Sequence, residues 1–297
     1  MARRPFDPAS RGWTKTEYRR GDILDRASVD ALVADADVVV HLAYLIMGSR
    51  AQSRRINLQG SRNVFEAAAA EPRPSRLVYT SSVAAYGYHS DNPVPLTEDV
   101  PTRGSKEHYY SEQKAECEEL LRAATGGSGL DVYVLRPCIV AGPEATALAD
   151  SMPWRQVRER LPAVLRPVTG LIESMLPLMP DPGVPMQLVH HDDVAAAIAL
   201  AVVGAGEPGA YNLAGDGELS LRDVAEATGT RSIRVPRAAA VAVSRVVAGL
   251  PLVPAAAEWI HVARSSVVMD TRRAKDVLGW RPRYTGRETL AALAETL

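Results

Sequence analysis

The run Arg76-Leu77-Val78-Tyr79 leads directly into three hydroxyl residues, Thr80-Ser81-Ser82, and this junction narrows the fold more than any other stretch. A short apolar run bounded by turn residues reads as a buried strand. Hydroxyls just past its end lie at the carboxyl edge of a parallel sheet, where open α/β folds bind ligands. Downstream, Tyr110-Ser111-Glu112-Gln113-Lys114 opens a helical pattern that runs through Ala115, Leu120 and Leu121. Tyr110 and Lys114 are four apart, so a helix places them on one face, one turn from each other.

That spacing suits proton transfer. A free tyrosine has a pKa of about 10 and is a poor base near neutral pH. An ammonium held beside it favours the phenolate. Ser82 is then placed to hydrogen-bond a substrate oxygen while Tyr110 gives or takes its proton. Taken alone, Y-x-x-x-K is common by chance, and a core tyrosine, a solvated lysine and a turn serine explain it better. The surrounding order of elements decides between the two.

Before this junction the chain alternates. Tyr18 to Ile23 reads as a short strand leading into a loop, followed by a helix through Val29, Leu32 and Val33 capped by Asp25 or Ser28. Asp37 to Ala43 is a continuous apolar run, the mark of a strand buried on both faces. Ile56 to Ala67 is an amphipathic helix in which Gly60 implies close packing. After the Tyr110 helix comes the strand Val132-Tyr133-Val134-Leu135-Arg136-Pro137. The alternation predicts a parallel sheet with right-handed crossovers. His41, at the end of its strand, reads as a hydrogen-bonded histidine.

The T-S-S-x-x-x-Y-G segment Thr80–Gly87, the Y-x-x-x-K helix and the strand to Pro137 together resemble the extended short-chain dehydrogenase/reductases, the NAD-dependent epimerase/dehydratase family. The resemblance continues through His41-Leu42-Ala43, the N-x-x-G helix at Asn57, Asp193-Val194-Ala195, Tyr211-Asn212-Leu213 and Leu278-Gly279-Trp280-Arg281-Pro282, in the family's order. It implies a doubly wound, Rossmann-like α/β fold, N-terminally incomplete, with a smaller C-terminal substrate lobe. On that reading residues 1–143 form the dinucleotide-binding domain, with the first βα unit missing. Residues 144–297 are mainly the substrate lobe, with segments near 186–215 returning to the sheet. The resemblance gives Ser82, Tyr110 and Lys114 the catalytic roles. Ser82 is preferred to Ser81 because it directly precedes Val83-Ala84-Ala85-Tyr86-Gly87, and Tyr110 to Tyr109 because only Tyr110 has a lysine four residues on.

The cofactor implied is NAD or NADP, contacted by Arg3, Asp22, Ile23, Ala43, Tyr110, Lys114 and Pro137. Asp22-Ile23 fall at the family's adenine-contacting pair. Arg3 and Arg4 fall near the ribose 2′ position, which tilts the choice towards NADP, although an ordinary basic N-terminus accounts for them as well. No glycine-rich strand–turn–helix precedes Arg3. Backbone N–H groups at such a helix start cradle a pyrophosphate, so the chain by itself is expected to bind NAD(P) weakly.

The remaining readings are exclusions. A net charge of -1 gives no reason to expect nucleic acid or a membrane surface as partner. Cys117 and Cys138 are too few for a disulfide framework, which favours a reducing cytoplasm. No metal site is expected: no histidine shows ligand spacing with a cysteine, and His190 and His191 would point apart on a strand. The expected partner is a small-molecule substrate, with a homodimer left open.

Family members that act on nucleotide sugars often carry an asparagine where this chain has Ile139, in Arg136-Pro137-Cys138-Ile139-Val140-Ala141-Gly142-Pro143. Isoleucine supplies no amide, which favours a less polar substrate than a UDP-sugar. The expected activity is NAD(P)-dependent oxidation or reduction at a hydroxyl or carbonyl carbon. Two alternatives stand beside it: a nucleotide-sugar epimerase or dehydratase, and a non-catalytic relative or fragment that has lost cofactor binding.

Overall fold

Four apolar segments pair side by side and in parallel. In a computed structural model that describes residues 1–46, 49–145, 178–236 and 266–296, they form one sheet. Its strands are β1 (Val38–His41), β2 (Arg76–Thr80), β3 (Asp131–Pro137) and, after three strands outside this sheet, β7 (Gly209–Leu213), in the order β1-β2-β3-β7. Register runs Val38 to Arg76, Arg76 to Asp131 and Tyr133 to Gly209. All carboxyl ends therefore point one way, and the loops after β1, β2 and β3 share one edge.

Helices cover both faces, as right-handed crossovers require. On one face α1 (Arg26–Val33), α3 (Gly60–Ala70), which follows the short α2 (Arg50–Arg54), and α4 (Tyr109–Thr125) enclose Val29, Val64, Phe65, Leu77, Tyr79 and Leu121. On the other, α5 (His191–Val202) and the tail pack Val78, Leu135, Tyr211, Ala197 and Trp280. Phe65, Tyr211 and Trp280 are fully buried, each contributing about 1.5–3 kcal/mol through burial. Trp280 also donates its indole N–H to the Asp193 carbonyl at 2.8 Å, which fixes the tail on α5.

Gly60 lies where α3 meets the Ile23 segment, and a Cβ there would sit 2.4 Å from Ile23 Cδ1. Close packing is thus the reason for that glycine. Asp25 does occupy the cap position of α1, but its side chain makes no capping bond. Two two-stranded parallel sheets lie apart from the main one: β4 (Ile139–Ala141) with β6 (Leu188–His190), and β5 (Leu178–Asp181) with β8 (Arg231–Arg234). The helix Leu221–Ala227 begins with the capping box formed by Ser220 and Asp223.

Two expectations need correction. β1 is not buried on both faces: Val40 is 37% exposed, because β1 is the edge strand and nothing described packs over that residue. The expected strand Tyr18–Ile23 shrinks to a single parallel bridge between Ala2 and Arg20. The central part of the expected lobe, around Trp154, and most of Pro236–Trp259 lie outside the described residues.

Candidate active site

α4 starts where its sequence predicts. His108 has extended backbone, and its imidazole accepts the Ser111 N–H at 3.3 Å, which caps the first turn. From there Ser111, Lys114 and Glu118 follow at i, i+3 and i+7 along one face. Each grips the end of β2 or the segment that follows it. Ser111 Oγ donates to the Ala84 carbonyl at 2.6 Å. Lys114 Nζ donates to the Thr80 carbonyl at 3.0 Å. Glu118 accepts from Ser81 Oγ at 2.6 Å.

Ser82 lies inside this grip. It is buried, its backbone is extended, and it caps the short 3-10 turn Val83–Tyr86 by accepting the Ala84 N–H at 3.2 Å. Tyr110, half-buried, has its ring centroid 5.8 Å from the Lys114 ammonium and edge-on to Tyr44 at 5.5 Å. Tyr109 points elsewhere, donating its hydroxyl to the Ile46 carbonyl at 3.1 Å. The structure therefore brings Ser82, Tyr110 and Lys114 to one place at the carboxyl edge.

Burial shapes the charges here. It lowers the Lys114 pKa to about 8, against the opposing pull of Cys117 and Glu118. Near neutral pH the lysine remains an ammonium. It lies 3.7 Å from the centroid of the Tyr44 ring and 5.3 Å from that of Tyr79, a cation–π arrangement that partly replaces water. Burial pushes the Tyr44 and Tyr79 phenols up, so both stay protonated. It drives His41 down to about 3, helped by Lys114, so the ring is neutral and bonds Ser61 Oγ at 2.9 Å.

The residues expected around a dinucleotide divide into two groups. Ala43, exposed just after β1, and Pro137, buried at the end of β3, share the carboxyl edge with the trio. Arg3, Asp22 and Ile23 lie on the N-terminal segment. Arg3 is exposed. Asp22 uses one carboxylate oxygen to accept the Leu24 N–H at 3.0 Å. The Ile23 carbonyl takes the Asn63 amide at 2.8 Å.

Sequence reasoning missed Tyr44 and Glu118 at this site. Tyr44 directly follows His41-Leu42-Ala43, and its place over Lys114 depends on a loop path that periodicity does not reveal. Glu118 stands four residues after Lys114, so the same helical face was the available signal. Asn57, which in sequence reads equally well as a support of the site through water or backbone and as a surface residue, is fully buried in a five-residue π-helical segment, Arg55–Gln59. Its amide clamps the backbone of Leu45 at 2.7 and 3.0 Å and bonds Gln113 at 2.9 Å.

His190 and His191 do not point apart. β6 ends at His190 and α5 starts at His191, so the rings lie 4.3 Å apart. With Asp192 they bring donor atoms within 4.8 Å of one another, and Arg283, 3.4 Å away, already faces that carboxylate. Ile139 packs its side chain with the small cluster of Met186, Leu188 and Leu290.

The sequence profile described as the NAD dependent epimerase/dehydratase family matches residues 1–214. The chain is 24% identical over 296 residues to a UDP-glucose 4-epimerase of Streptococcus mutans, covering 94% of this chain and 82% of that protein. It is 31% identical over 142 residues to a 3beta-hydroxysteroid-dehydrogenase/decarboxylase of Arabidopsis thaliana, covering 46% of this chain and 25% of that one. Among solved structures, RMD from Pseudomonas aeruginosa complexed with NADPH superposes with a TM-score of 0.68 at 20% identity, over 96% of this chain and 93% of that one. Among the described residues no helix is long and apolar enough to cross a membrane.

The donor set at the carboxyl edge fits the nicotinamide-ribose half of such a cofactor. It offers a buried ammonium, a phenol and the Thr80 hydroxyl, whose Oγ1 is buried with no hydrogen-bond partner among the described residues.

Proposed function

The chain belongs to the NAD-dependent epimerase/dehydratase family, and from that premise we propose that it is an NAD(P)-dependent oxidoreductase acting at a hydroxyl or carbonyl carbon of a small substrate. The convergence of Ser82, Tyr110 and Lys114 carries this reading. The cofactor, when bound, supplies or takes the hydride. The protein's own residues handle the proton and the oxygen. Ser82 donates a hydrogen bond to the substrate oxygen, and Tyr110 takes the hydroxyl proton in oxidation or returns it in reduction. The Lys114 ammonium eases proton loss from the phenol by Coulombic attraction. Tyr110, Lys114, Ala43, Pro137 and the Thr80 hydroxyl would hold the nicotinamide-ribose end, while Asp22, Ile23 and Arg3 would serve the adenosine end, Arg3 favouring NADP. The N-terminal part through Pro143 serves the dinucleotide and the remainder mainly the substrate.

The substrate is less polar than a UDP-sugar, because Ile139 brings no amide and its side chain packs with apolar neighbours. The second reading is a nucleotide-sugar epimerase, favoured by the likeness to the streptococcal enzyme. Net NAD(P)H formation separates the two, since epimerisation returns its hydride. We expect NAD(P)H to accumulate with lipophilic secondary alcohols and UDP-glucose to bind weakly. Saturable micromolar binding of UDP-glucose with no net NAD(P)H would reverse the order of the two readings.

A further inference from the structure

Glu118 is almost fully buried, at 2% exposure, yet it carries a carboxylate into the protein directly behind the catalytic junction. Three donors converge on it. Ser81 Oγ reaches Oε1 at 2.6 Å, Arg136 Nε reaches Oε1 at 3.0 Å, and Arg136 Nη2 reaches Oε2 at 2.7 Å. The Arg136 guanidinium, itself 5% exposed, continues through Nη1 to the Tyr86 hydroxyl at 2.8 Å, and that hydroxyl donates to Asn212 Oδ1 at 2.7 Å. One carboxylate thus joins α4 to the residue before Ser82, to β3 and, through Tyr86, to both the end of the Ser82 turn and β7. A two-pronged bond from a guanidinium is directional as well as strong, so the link fixes orientation and not distance alone.

We propose that Glu118 is the positioning residue of this site: it locks the Ser82-bearing turn onto the helix that carries Tyr110 and Lys114, and holds a negative charge one helical turn beyond the Lys114 ammonium. The inference rests on reading Ser82, Tyr110 and Lys114 as the catalytic set. Ser111 and Lys114 also hold this segment, but each takes a backbone carbonyl; Glu118 alone of the three takes the side chain adjacent to Ser82. Burial would pull the Arg136 guanidinium down, and its bonds to Glu118 and Tyr86 more than offset this, so that its pKa is raised. The guanidinium is therefore charged over the working range of pH.

The electrostatic half concerns Lys114. Its surroundings are His41 from β1, Tyr44 from the loop after it, Tyr79 from β2, and Tyr110, Cys117 and Glu118 from α4. His41 is neutral, and Tyr44, Tyr79 and Cys117 are all pushed up by burial, so they carry no charge near neutral pH. Glu118 is thus the anion that keeps Lys114 protonated against its burial.

The test needs no turnover. The chain has four lysines, Lys15, Lys106, Lys114 and Lys275, so carbon-13 lysine labelling lets Lys114 be titrated by NMR, and amide exchange at Ala84, Ala85 and Gly87 reads the Ser82 turn. Glu118→Gln is expected to lower the Lys114 midpoint by roughly one pH unit and to speed exchange at those amides about tenfold. Ser81→Ala keeps the ion pair and removes one bond. It is expected to speed the same exchange while leaving the Lys114 midpoint in place, and it decides the positioning role if Glu118→Gln does not fold. Wild-type exchange in Ser81→Ala, or a wild-type Lys114 midpoint in folded Glu118→Gln, would overturn the inference. If Tyr110→Phe retained full turnover while these shifts appeared, the catalytic reading would fail and the positioning link would stand.

Discussion

At the β2–α4 junction, Ser81, Ser111, Lys114 and Glu118 each bond to a different element, whereas at the end of β1 the chain presents Val40 and Leu42 to solvent at 37% and 57% exposure. The two regions share one sheet edge and are held by different physics. The first is fixed by buried, partly charged hydrogen bonds, which are directional and costly to break. The second is an edge strand whose outer side is unpaired among the described residues, with apolar side chains that gain little from burial. The comparison teaches that the β2–α4 junction is fixed by buried side-chain bonds, while at the end of β1 the Val40 and Leu42 side chains are left open among the described residues.

The sharpest way to break that comparison is to remove one partner of the buried pair. Glu118→Leu leaves the Arg136 guanidinium buried without its carboxylate, and breaking such a pair costs about 3–5 kcal/mol. Adding Arg136→Met should return much of this loss, since an apolar pair of similar volume avoids the desolvation penalty. Urea unfolding of the single and double variants checks both. A Glu118→Leu loss below about 1 kcal/mol would mean that the junction is held by something else.

That region was only partly legible in the sequence. The strand from Arg76 follows from its apolar run and the helix opening at Tyr110 from its helical pattern, and Tyr110 with Lys114 follows from helical period; the His108 cap and the start at Tyr109 did not show. Glu118 was missed because a glutamate on a helix reads as solvated unless the arginine opposite it is known, and Arg136 lies on another element. Asp37 to Ala43 misled for a related reason: an apolar run indicates a strand but does not say whether a neighbour covers it. His190 and His191 were misjudged because the strand-to-helix change falls between them.

A pH series sharpens the comparison at Lys114. Its folded pKa is about 8 against an ordinary 10.5, so between these values the unfolded chain binds more protons than the folded one. Stability should therefore rise with pH across that window, on the order of 1.4 kcal/mol per unit at most. Lys114→Met should remove this slope. Parallel slopes in wild type and variant would show that Lys114 is not desolvated as described.

The smallest effect belongs to the β1 side. Val40→Thr places a polar group on an already exposed edge residue and should change unfolding stability by less than about 0.5 kcal/mol. A loss above about 1 kcal/mol would show that Val40 is covered in solution and would erase the contrast between the two regions.

The most direct test of the catalytic assignment compares two adjacent phenols. Tyr110→Phe and Tyr109→Phe are assayed with a substrate that gives net NAD(P)H turnover, and cofactor affinity is measured in parallel. Tyr110→Phe should lose about 10²–10⁴-fold in turnover, a far larger change than in cofactor affinity. Tyr109, whose hydroxyl serves the Ile46 carbonyl, should tolerate the change within about threefold, roughly 0.7 kcal/mol. Turnover by Tyr110→Phe within about threefold of wild type would contradict the assignment of Tyr110 as the acid/base.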